Sequence, residues 1–102
     1  MASITIEGKF SGPVNNNVIL KVFRTKSLDN PFNFEKTFTS DFTETIDGLE
    51  PGLLYHIIFS GHTATQFDLE ISGDFDTPTT PIKSTETGGF SPRFSIKTTK
   101  ES

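Results

Sequence analysis

The chain contains two histidines, His56 and His62, and no cysteine. A nucleophilic triad needs a base held against an activated hydroxyl or thiol, so these two imidazoles bound the hydrolytic chemistry available. Both take the outward parity of the strand through Tyr55 or lie just past it, and no Gly-x-Ser-x-Gly elbow exists. They read as surface histidines and make a poor zinc pair. The densest carboxylates are Asp68, Glu70, Asp74 and Asp76. Asp68 and Glu70 share the solvent face of a strand, with Asp74 and Asp76 following in a loop able to approach it. Oxygen ligands at that density suit calcium, but no EF-hand-like spacing with glycine at the sixth place accompanies them. Paired carboxylates also serve glycoside hydrolysis, which needs a cleft with set separations that a small sheet domain rarely has. The four are expected as a solvated face. No catalytic residue, metal or cofactor is predicted.

The segment from Asp74 to Gly89 is Thr, Pro, Ser and Gly around Phe75 and Ile82. Structureless connections of that length are uncommon in compact domains and tend to be binding loops or disorder. Pro78 and Pro81 stiffen its first half, and Gly88-Gly89 loosens its second. Asp76, Thr79, Thr80, Lys83 and the following Arg93 are the expected binding-loop residues. On this reading, a short Gly-Ser linker replacing Pro78 to Glu86 leaves folding intact, because closure entropy changes slowly with length. The group Phe32, Phe34, Phe38 and Phe42 suits either a stacking platform or a core row, and its shared parity favours the core.

Strands must position these groups. Period-two alternation marks Ser3 to Phe10, Val18 to Thr25, Leu53 to Ser60, Gln66 to Gly73 and Phe90 to Thr99. Breaks fall at Gly12-Pro13 with Asn15-Asn16-Asn17, at Leu28 to Pro31, at Ser40-Asp41, and as a turn over Gly61 to Thr65. Val18, Leu20 and Val22 share one face while Ile19 and Phe23 take the other, the mark of a central strand. Phe34, Phe38 and Phe42 also fit a helical stripe. The threonines between them decide for extended chain.

Composition agrees. Among 102 residues there are 11 Phe and 15 Thr but two Ala, and β-branched and aromatic side chains suit a pleated surface. A net charge of −4 argues against holding nucleic acid by phosphate neutralisation. No apolar stretch reaches bilayer-crossing length, so no membrane insertion is expected. The chain opens on alternation rather than an apolar run, unlike a secretion signal. It reads as cytoplasmic if complete as written, or as extracellular or cell-surface if cut from a larger protein. The expected architecture is a single all-β domain, an antiparallel β-sandwich of about seven strands.

One segment is more specific: Ile46-Asp-Gly48-Leu49-Glu-Pro51-Gly52-Leu-Leu-Tyr55-His-Ile57. Pro presets φ and Gly tolerates positive φ, so Pro51-Gly52 turns the chain while Leu49 plugs the core end. The segment resembles the inter-sheet corner of fibronectin type III and other immunoglobulin-like domains, and is also similar to transthyretin-like sandwiches. The resemblance implies that Leu49, Pro51, Gly52 and Tyr55 form a tyrosine corner, Tyr55 bonding backbone just upstream. The chain departs from the fibronectin pattern in having no Trp. A shared fold carries no activity. The expected function is a non-catalytic structural or protein-interaction module, surface or adhesion type. The alternative is a carbohydrate-binding module.

Overall fold

Apolar residues at every second position, interleaved with Thr and charged residues, drive the chain into extended segments. A computed structural model describes residues 2–12, 16–24 and 33–99. It contains eight strands: β1 (Ala2–Phe10), β2 (Asn17–Phe23), β3 (Asn33–Phe38), β4 (Phe42–Leu49), β5 (Leu54–Gly73), β6 (Phe75–Thr77), β7 (Ile82–Phe90) and β8 (Arg93–Thr98). Strand accounts for 78% of the described residues and no helix occurs among them, so the protein is all-β.

β5 organises the topology. Its 20 residues run unbroken and change neighbours midway. The first half lies between β2, from Phe23↔His56 to Asn17↔His62, and β8, from Leu54↔Lys97 to Ile58↔Arg93. The second half lies between β1, from Phe10↔Phe67 to Ile4↔Gly73, and β7, from Phe67↔Glu86 to Ile71↔Ile82. β3 pairs outside β2, β4 outside β1 and β6 outside β8, every pairing antiparallel. All eight strands form one strongly curled sheet, a half-barrel.

The change of partners has a local cause. A Cβ at Gly61 would collide with the Asn17 carbonyl oxygen, so glycine permits β2 to approach there. Two residues on, the buried Thr63 hydroxyl donates to Asn16 Oδ1 at 2.8 Å and accepts from the Thr65 amide at 3.2 Å. Between Thr63 and Phe67 the register to β7 shifts, a bulge-like irregularity. Such irregularities bend a strand without ending it.

The concave side is the core. Tyr55, Ile57 and Phe59 from the first half of β5 and Phe67 and Ile71 from the second are all 1% exposed or less. Phe67 is a hub: its ring centroid lies 4.7 Å from that of Phe10, 5.3 Å from Phe90 and 6.1 Å from Phe59. The curl brings edge strands β3 and β4 together without a ladder. Phe38 and Phe42 stack at 3.8 Å, and Lys36 Nζ reaches Glu44 Oε1 at 3.1 Å. Phe34, Phe38 and Phe42 thus pack against the core, while Phe32 lies outside the described residues, as do Thr25 and the break from Leu28 to Pro31.

The expected all-β, antiparallel architecture is found, with eight strands among the described residues hydrogen-bonded into one curled sheet. Two expectations are corrected. Residues 61–65 are not a turn but the bend inside β5. Residues 74–89 are not a long loop: β6 and most of β7 occupy them, joined by a bend at Pro78, Thr79 and Thr80. Their apolar signal is weak for a physical reason. β7 is an edge strand whose inward row, Ile82, Ser84, Glu86 and Gly88, is only half-buried. An inward charge such as Glu86 is one way sheets protect an edge from unwanted pairing.

Candidate functional site

Directly paired residues in antiparallel strands point to the same face, so the register lays out the convex surface row by row. Over the first half of β5 the rows read Thr37–Ile19–Ser60, Glu35–Lys21–Ile58–Arg93, Asn33–Phe23–His56–Ser95 and Leu54–Lys97. Ile19, Phe23 and Ile58 are half-buried, and Leu54, at 49%, is the exposed large hydrophobic residue of the described chain. The Phe23 ring lies 5.4 Å from that of His56, whose Nδ1 shares a 3.0 Å hydrogen bond with the Ser95 hydroxyl. Lys21 pairs with Glu35 at 3.5 Å. This is an apolar strip with a basic border.

Over the second half of β5 the rows are Thr45–Thr5–Ser72, Thr43–Glu7–Glu70–Lys83 and Lys9–Asp68–Thr85. Glu7, Glu70 and Lys83 of the second row and Lys9, Asp68 and Thr85 of the third line a shallow concavity of about 400 Å³, which holds three expected site residues, Asp68, Glu70 and Lys83. Two of its carboxylates have partners. Asp68 accepts from Thr85 Oγ1 at 2.7 Å and Gln66 Nε2 at 3.1 Å, and Lys83 Nζ lies 3.9 Å from Glu70.

The other expected residues fall elsewhere. The Asp74 carboxylate accepts the Ser3 amide at 3.0 Å and its amide donates to the Ser3 carbonyl, tying the end of β5 to β1. Asp76 is exposed on β6, where Thr77 Oγ1 donates to it at 3.4 Å. Among the described residues no three His, Asp or Glu side chains are grouped to hold a metal. Thr79 and Thr80 are exposed in the bend after β6. Arg93 opens β8, opposite Ile58 and in a different row from Lys83. The five binding-loop residues therefore divide among the two halves of the convex surface, β6 and a connecting bend.

At the corner, Leu49 is fully buried, Gly52 has φ 72°, and the Glu50 amide donates to the hydroxyl of the buried Tyr55 at 2.9 Å. Two further residues complete it. Arg24, its side chain 9% exposed, reaches Glu50 Oε2 at 3.3 Å with its guanidinium 6.0 Å from the Tyr55 ring centre. The Thr98 hydroxyl donates to the Glu50 carbonyl at 2.6 Å and accepts the Leu53 amide at 3.0 Å.

Sequence reasoning missed Leu54, Lys97 and the outward apolar row as a surface. The signal was present: Ile19, Phe23 and Ile58 have outward parity. Apolar residues on both faces mark a central strand, and this central strand keeps its second face in solvent.

The architecture defines a class, all-β proteins built on one curled antiparallel sheet. No protein-family model matches the chain, and no curated protein or solved structure matches it.

Proposed function

We propose that the protein is a non-catalytic interaction module that docks another protein on the convex face of β3, β2, the first half of β5, and β8. One observation carries this: Ile19, Phe23, Leu54 and Ile58 stand on a single face rather than scattered. Contiguous exposed apolar area with a polar border is how docking surfaces differ from ordinary surface. The curled sheet and the Leu49–Tyr55 corner support an immunoglobulin-like module, with a transthyretin-like arrangement the close variant. A photo-crosslinking residue at position 58 is expected to yield adducts in extracts of the source cells, and one at position 70 is not. Equal adducts from both positions, or none from 58, defeat the reading.

The concavity over the second half of β5 favours a second reading, carbohydrate binding, because Asp68, Glu70, Lys9 and Lys83 offer donors and acceptors for hydroxyl groups. Glycan binding abolished by Asp68→Ala and retained by Ile58→Ser would select it.

A further inference from the structure

Building on the docking reading, we infer that the partner is an acidic polypeptide segment, presenting two carboxylates on either side of an apolar side chain. The register carries this. Leu54 stands directly opposite Lys97 and Ile58 directly opposite Arg93, with the hydrogen-bonded His56–Ser95 row between them. Every second exposed step of β5 thus offers an apolar contact with a cation beside it. Lys21 is matched by Glu35, but among the described residues Arg93 and Lys97 have no carboxylate within ion-pair reach. The outward positions of these strands hold three cations and one carboxylate, on a chain whose net charge is −4. That local reversal of sign selects a negatively charged partner and speeds its encounter.

Geometry narrows the occupant. Arg93 and Lys97 are four residues apart on a strand, about 13 Å. An extended partner matches this with carboxylates four positions apart and an apolar residue midway, all on one face. A second copy of this chain fits badly, since its equivalent face would bring Lys21, Arg93 and Lys97 against cations of their own kind. Nucleic acid fits badly as well. Two unmatched cations release few counterions, and the rest of the surface repels phosphate.

The test is amide chemical-shift mapping of the full chain with three probes: the peptide Thr-Glu-Thr-Leu-Thr-Glu-Thr, its counterpart with Lys for Glu, and a short single-stranded DNA. The acidic peptide is expected to move amides of residues 54–58 and 93–97, and to bind at least about tenfold tighter than the Lys peptide. Raising NaCl to about 0.5 M should weaken it through screening. The double variant Arg93→Glu, Lys97→Glu, altered only at exposed positions, should keep its circular dichroism spectrum and lose at least about tenfold in affinity. Equal binding of the two peptides overturns the inference, and so does tighter binding of DNA to these residues. An acidic peptide that leaves 54–58 unmoved overturns it too. If the crosslinker at 58 still captures a partner in that case, the docking face stands without its acidic specificity. If the crosslinker is silent as well, both fall.

Discussion

The two halves of β5 bury closely similar inner rows, Tyr55, Ile57 and Phe59 in one and Phe67, Leu69 and Ile71 in the other. Their outer rows have little in common. His56, Ile58 and Ser60 face outward from the first half, with Leu54 beside them, whereas Asp68, Glu70 and Ser72 face outward from the second. One strand therefore contributes evenly to the core and unevenly to the surface. On the second half of β5 the two carboxylates find partners at home, Asp68 in Thr85 and Gln66 and Glu70 in Lys83. The first half leaves apolar area and two cations unmatched. Inner rows answer to folding, so they converge on large apolar residues. Outer rows are released from that demand, and a difference between them is where function shows.

The largest effects should come from breaking the inner rows or the ladder they rest on. Phe67→Ala removes the hub of the aromatic cluster, and a buried Phe truncation costs about 3–5 kcal/mol. That is much of a small domain's stability of about 5–15 kcal/mol. Chemical denaturation should show it, and a midpoint shift no larger than that of Ile58→Ala would erase the distinction between inner and outer rows. Replacing residues 78–86 with a Gly-Ser linker belongs in the same class. It deletes the part of β7 paired with Phe67, Leu69 and Ile71, so cooperative unfolding should be lost or strongly weakened. Retention of the full melting transition would mean that β7 contributes nothing to the fold.

Gly61→Ala tests the junction between the halves. The added methyl has the Asn17 carbonyl in its way, and overpacking of this kind costs about 1–3 kcal/mol. Gly89→Ala is the control, because nothing lies within 4 Å of its Cβ position, and it should be neutral or slightly stabilising. Comparable losses in the two variants would show that β2 does not hold β5 at its bend. Tyr55→Phe should cost about 1–2 kcal/mol by leaving the Glu50 amide without its acceptor. An unmoved denaturation midpoint would remove the hydroxyl from the corner.

The smallest effect is expected on the outer row of the first half. Ile58→Ser should change stability by about 1 kcal/mol, well below a core truncation because the side chain is only half-buried, while reducing crosslinking or peptide binding. A loss of several kcal/mol would mean that Ile58 serves packing and that the two outer faces do not differ in kind.

Much of this molecule follows from residue types at close range. Alternation of Ile4 and Ile6 with Thr5 and Glu7, or of Tyr55 and Ile57 with His56, specifies extended chain and its inner face, because a pleat has period two. The turn at Pro51-Gly52 is equally local, since it depends on the φ preferences of two neighbouring residues. Tertiary structure decided the rest. Gly61 to Thr65 looks like a turn until β2 lies against Gly61 and Asn16 caps Thr63, contacts 44 to 47 residues distant in sequence. β7 looks like a loop because an edge strand needs little apolar burial to pair. Arg24 and Thr98 reveal their roles only once the ends of β2 and β8 reach Glu50. The candidate face is the clearest case: Ile19, Phe23, Leu54, Ile58, Arg93 and Lys97 come from three strands, and only the register sets them side by side. Side-chain parity is a property of the strand, but neighbourhood across strands is a property of the sheet.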